Sequence, residues 1–90
     1  MFCDKKDCEA ILKKSSREEN LRMLQEECGE LVAAINHELR KDRAPAKEEL
    51  IEELVDVGIM LDIVLSTIED QDISRMTASK MERMRLRYGI

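Results

Sequence analysis

The sequence predicts an all-α protein, and three observations carry that expectation. Helix breakers are scarce, with one proline and three glycines in 90 residues. Aromatic residues make up only 2% and charged residues 39%, while the apolar content is mostly Leu, Ile, Met, Ala and Val, all compatible with helices. The apolar positions also recur at steps of three and four rather than two. Ninety residues suit a single domain, 1–90, with a limited core that a second subunit would complete.

About four helices follow in order. Asp4 is placed to cap a short first helix ending near Lys14, with Cys8, Ile11 and Leu12 on its apolar side. Ser15 and Ser16 precede Glu18 and Glu19 at capping-box spacing and open a longer second helix. Its stripe is Leu21, Leu24, Cys28, Leu31, Ile35 and Leu39, and Arg40 and Lys41 close its last turn. The short link Asp42-Arg43-Ala44 makes the second and third helices antiparallel neighbours. Pro45 suits the first position of the third helix, with Glu48 and Glu49 near the positive end of its dipole. That helix is expected to run to about Glu69 and, being apolar nearly all round from Leu54 to Leu65, to be the central, most buried one. Asp72 or Ser74 is placed to cap a fourth helix carrying Ile73, Met76 and Met84, with Lys80, Arg83, Arg85 and Arg87 as a basic run and Gly89 as its stop.

The net charge of −5 argues against a nucleic-acid polymer or an anionic membrane as partner, because both need a basic patch. No N-terminal segment joins a basic start to a long apolar run, and the apolar stretch after Glu53 is too short to span a bilayer, so the expected location is cytoplasmic. Cys3, Cys8 and Cys28 are odd in number and lack C-x-x-C spacing; they are expected to be free thiols. His37 has no neighbour that would make it a nucleophile's base and is expected at a surface or interface.

Two carboxylates, Glu53 and Asp56, open the apolar stretch ELVDVGIMLDIVL, and an ionised carboxylate taken from water needs a partner. With Leu24 and Leu50 as the zeros of the second and third helices, Glu27 and Glu53 fall roughly 60°, and Glu30 and Asp56 roughly 120°, to the same side. Packed antiparallel, the helices would bring four carboxylates to one point, where mutual repulsion calls for cations. Oxygen-only ligands select Mg²⁺, Mn²⁺ or Ca²⁺ over zinc or copper, the outline of a phosphate-ester or anhydride hydrolase. Spacing alone equally allows these glutamates to be solvated acids paired with Lys or Arg.

The stretches EECGEL (Glu26 to Leu31) and EELVDV (Glu52 to Val57), with 22 residues between Glu30 and Glu53, resemble the paired E-x-x-E and E-x-x-D motifs of the MazG-like all-α nucleoside triphosphate pyrophosphohydrolases. The C-terminal SKMERMRLR resembles the K-x-x-R-type ending of short single-domain members. The resemblance implies Mg²⁺ ligation, with Mn²⁺ as a substitute, by Glu27, Glu30, Glu53 and Asp56, and cleavage between the α- and β-phosphates to a nucleoside monophosphate and pyrophosphate. One of these carboxylates would orient or deprotonate the attacking water. Lys80 and Arg83 become candidates for phosphate contacts, against the alternative that a basic helix end simply complements its own dipole. A homodimer or homotetramer is implied as well.

Glu26 lies roughly 100° from Glu27 and is expected outside the ligand set. Asp62, roughly opposite Glu53, is expected to pair across a helix or subunit contact. The aromatics Phe2 and Tyr88 stand near the two ends, Phe2 being expected on a mobile tail, so a stacking partner for a nucleobase is not evident. The rival reading is a non-enzymatic acidic helical interaction module. A di-iron bundle would need Glu-x-x-His pairs, which the single His37, with Ala34 three residues before it, does not supply.

Overall fold

The computed structural model describes residues 1–40 and 46–90. The Asp42-Arg43-Ala44 link, the closing Lys41 and the Pro45 start all lie outside the described residues. Four helices and no strands are found among the described residues: α1 (Lys5–Lys13), α2 (Arg17–Arg40), α3 (Ala46–Leu65) and α4 (Asp70–Tyr88).

The helix starts follow from capping chemistry. Asp4 is extended and its side chain accepts the Asp7 N–H at 2.8 Å. The Ser16 Oγ accepts the Glu19 N–H at 3.1 Å while Glu19 Oε1 accepts the Ser16 N–H at 2.9 Å, a complete capping box. Replacing Ser16 by alanine is expected to cost about 1 kcal/mol, lowering the melting temperature by roughly 4–8 °C in a thermal melt followed by circular dichroism.

Two boundaries differ from expectation. α3 stops at Leu65 rather than near Glu69, because the hydroxyls of Ser66 and Thr67 donate to the Ile63 and Val64 carbonyls, both at 2.6 Å, and occupy acceptors at the helix end. α4 then begins at Asp70 with Glu69 as its extended N-cap, ahead of Asp72 and Ser74. Glu69 makes no side-chain capping bond. At the other end Gly89 takes φ 67°, and its N–H reaches the Arg85 carbonyl.

α2 and α3 form the most extensive helix contact, and α1 packs on α3. α3 is therefore central, as expected. A small core of Cys3, Cys8 and Ile63, extended by Leu12, Ile59 and Met60, joins α1 to α3. All three cysteines are free, and a hydrogen bond with Cys8, followed by burial, pushes the Cys3 thiol up to about 11.

α2 buries only part of the expected leucine stripe. Asn20 and Ala34 are its buried residues, Leu24, Leu31 and Glu27 are half-buried, and Leu21, Cys28, Ile35 and Leu39 are exposed. The helix is thus rotated toward its acidic side, drawing the carboxylates into the seam with α3. The complementary flank of α3 is open too, with Ile51, Leu54, Leu61 and Leu65 exposed, so α3 is not covered all round within one chain. α4 buries no residue and does not pack along α2 or α3.

Candidate metal centre in the α2–α3 seam

The acidic cluster is built by two packed helices whose facing sides carry carboxylates one turn apart. On α2 the pair is Glu27 and Glu30, and on α3 it is Glu53 and Asp56. Carboxylate oxygens of Glu27, Glu30 and Glu53 lie within 4.8 Å of one another, as do those of Glu52, Glu53 and Asp56. The antiparallel packing inferred from the two wheels therefore brings the four together, with Glu53 common to both groups.

Their environment is that of charge held against apolar surface. Glu27, Glu53 and Asp56 are half-buried and Glu30 is exposed. The Glu27 and Glu53 carboxyls are held above the ordinary range first by burial, then by the neighbouring charges, with Glu30 in hydrogen-bond reach of both. Glu27 Oε2 and Glu53 Oε2 are buried and have no hydrogen-bond partner among the described residues. No lysine or arginine among the described residues forms an ion pair with any of the four. A buried carboxylate oxygen without a donor is costly, and two in one cluster of like charge form a site shaped for a cation. The donor set is all oxygen, which fits a hard divalent ion.

Glu52 is an addition to the expected set. It is exposed and one turn before Asp56 on the same helix, so it offers a further oxygen at the mouth of the site. The E-E doublet at 52–53 was the available signal, but the wheel places Glu52 farther from the seam than its neighbour. Glu26 is exposed and acts on the cluster only as a nearby negative charge that raises Glu27.

Other candidates fall elsewhere. Lys80 and Arg83 are exposed on α4, which the single chain does not bring against the seam. His37 Nδ1 lies 2.9 Å from Glu49 Oε1, tying the end of α2 to the start of α3 outside the cluster. Asp62 pairs within the chain, with the N-terminal segment: its Oδ2 accepts the backbone N–H groups of Phe2 and, at 3.0 Å, Cys3. Phe2 is correspondingly not on a free tail. Its ring lies against Gly58, roughly 140° around α3 from Glu53, so it faces away from the acids. Tyr88 is exposed beside Arg87, whose guanidinium carbon stands 5.7 Å from the ring centre.

Residues 15–88 match the family model described as the MazG nucleotide pyrophosphohydrolase domain. Comparison with curated proteins and with solved structures finds no match. The matched segment contains α2, α3 and α4 and leaves out the N-terminal strap and α1.

Proposed function

The chain belongs to the MazG nucleotide pyrophosphohydrolase family, and on that footing we propose that it hydrolyses nucleoside or deoxynucleoside triphosphates to the monophosphate and pyrophosphate with Mg²⁺, for which Mn²⁺ substitutes. The observation that carries this reading is the pair of buried, donorless oxygens, Glu27 Oε2 and Glu53 Oε2, inside a four-carboxylate cluster. Glu27, Glu30, Glu53 and Asp56 are the residues that would hold the cation. When bound, Mg²⁺ supplies charge neutralisation for the triphosphate and acidifies water.

The protein's own part is positioning and proton transfer. Carboxylates fixed on two packed helices face the substrate without having to be ordered at the moment of reaction. As the water oxygen bonds to the α-phosphorus and the bond to the departing pyrophosphate breaks, a carboxylate oxygen of the cluster takes the water's proton. Lys80 and Arg83 are proposed as phosphate contacts. They share one face of α4, and since α4 stands clear of its own seam, this role places them opposite the cluster of another copy in a homodimer or homotetramer. No helix among the described residues is long and apolar enough to cross a membrane, which is compatible with the proposed cytoplasmic location.

The test is incubation with a panel of ribo- and deoxyribonucleoside triphosphates, with Mg²⁺ or with chelator, separating the products. Monophosphate with pyrophosphate, formed only with metal, is expected. Diphosphate with phosphate, or no turnover by protein shown to be folded and oligomeric, would refute the reading and favour a binding module.

A further inference from the structure

The N-terminal strap and α1 lie outside the segment shared with the family, and their junction brings two thiols together. Asp4 is the N-cap of α1, so Cys3 stands at the residue before the cap and Cys8 at the fourth helical position. Side chains at those two positions pack against each other across a helix start, ordinarily as an apolar pair. Cysteine serves there as a small apolar residue, and here both partners are cysteines. Both are buried in one core with Ile63, and the Cys8 Sγ donates to the Cys3 carbonyl at 3.8 Å. The two thiols also hydrogen-bond to each other.

Cys3 is held from the side of α3 as well, because Asp62 Oδ2 accepts its backbone N–H at 3.0 Å. The strap cannot carry Cys3 away from Cys8 without breaking that bond and lifting the Phe2 ring from Gly58. Two thiols fixed side by side react as a unit, since the second step of an exchange is then intramolecular. Cys8 also borders a cavity of about 600 Å³, lined in part by Met1, Lys5, Leu65 and Ile73. A small molecule therefore has room beside a sulfur that is otherwise only 1% exposed.

We propose that Cys3 and Cys8 form a redox site, closed into an intramolecular disulfide by a low-molecular-weight disulfide that enters this cavity. The Cys8 sulfur attacks one sulfur of the incoming disulfide, whose S–S bond breaks and releases a first small thiol. The Cys3 sulfur then attacks Cys8 in the mixed disulfide, forms the Cys3–Cys8 bond and expels the second small thiol. Two electrons pass from the pair to the small disulfide, and the two protein thiol protons leave on its products. Closure fastens the strap covalently to α1 while Asp62 continues to hold it to α3. In a reducing compartment such a bond is transient and reports the thiol–disulfide balance.

The second attack is the slow step. The hydrogen bond with Cys8 and burial hold the Cys3 thiol up at about 11, and the charged groups around it, Asp4, Asp7 and Asp62, are carboxylates that oppose a thiolate. Closure is therefore expected to quicken at least about tenfold between neutral and mildly alkaline buffer.

Equilibration of the whole chain in mixtures of reduced and oxidised glutathione, without nucleotide or metal, tests the site apart from catalysis. Samples are quenched in acid, alkylated, and measured by intact-mass and peptide mass spectrometry. As oxidised glutathione rises, the main product is expected to carry one alkylated thiol, Cys28, in place of three, with Cys3 and Cys8 joined in one linked peptide. Cys28→Ser, at an exposed position, is expected to close like the wild type, and Cys8→Ser to yield no linked peptide. Three alkylated thiols throughout overturn the proposal. So does oxidation found only as glutathione on Cys28 or as chains joined through Cys28, or closure at the same rate in neutral and alkaline buffer.

Discussion

Asp56→Asn is expected to reduce turnover by on the order of 10²–10³-fold or more, the scale set by loss of one preorganised electrostatic group at a reacting centre. Asn keeps the shape and one oxygen but removes the negative charge that a hard divalent ion requires. Asp56 is half-buried in the seam and forms no ion pair among the described residues, so the fold does not depend on its charge. Helical content should therefore be unchanged, and the metal-free protein should be no less stable, because one of four mutually repelling carboxylates has been neutralised. Initial rates at saturating Mg²⁺, with circular dichroism on the same samples, check both halves. Wild-type turnover by this variant would remove Asp56 from the site.

The acids and the leucines were not equally legible. Residue spacing is enough to show that Glu27 and Glu53, and then Glu30 and Asp56, occupy matching positions on two helices, and a short link implies antiparallel packing. Spacing thus makes their meeting possible, and the packing of α2 on α3 realises it. Spacing does not say how far each helix rotates about its axis. The leucine stripe suggested contact from Leu21 through Leu39, whereas α2 keeps only Leu24 and Leu31 of it half-buried and turns toward Ala34 and Glu27. Ala34, wholly buried, is small enough to let the helices approach there, and the larger Val32, Ile35 and Leu39 are left outside. A single chain has no second surface with which to cover both stripes.

Local chemistry was read well where it is reciprocal. The Ser16–Glu19 box and the Gly89 stop each need particular residue types at fixed offsets, and both form. The end of α3 was misplaced because Ser66 and Thr67 are polar but otherwise permissive in a helix. Only their hydroxyl bonds to the preceding turn show that they end it. The strap was missed for a different reason. Nothing in the sequence around Phe2 marks its contact with Gly58 or Asp62, which lie more than fifty residues away.

The electrostatics of the seam give a second large effect, in which metal and protons act in the same direction. Glu27 and Glu53 have folded-state pKa values above their ordinary range, so the metal-free folded protein binds more protons than the unfolded chain. Stability must then fall as pH rises from the ordinary glutamate range through those raised values. Glu19 contributes oppositely: its carboxylate, held below the usual range by the Ser16 N–H, stabilises at neutral pH, and that contribution is lost as pH falls through its lowered pKa. Metal-free protein is therefore expected to melt highest at mildly acidic pH and lower at alkaline pH. Mg²⁺ should reverse this, because it binds the ionised cluster. At about one hundred times its dissociation constant a ligand stabilises by roughly 2.7 kcal/mol, or about 10–20 °C in a domain of this size. Glu53→Gln should raise the alkaline melting temperature of metal-free protein by a few degrees and abolish the rise with Mg²⁺, since the variant lacks both the repulsion and the ligand. Thermal melts across pH, in chelator and in Mg²⁺, provide the comparison. A metal-free stability that climbs steadily toward alkaline pH, or a melting temperature that Mg²⁺ does not move, would mean that the seam is not built around a cation.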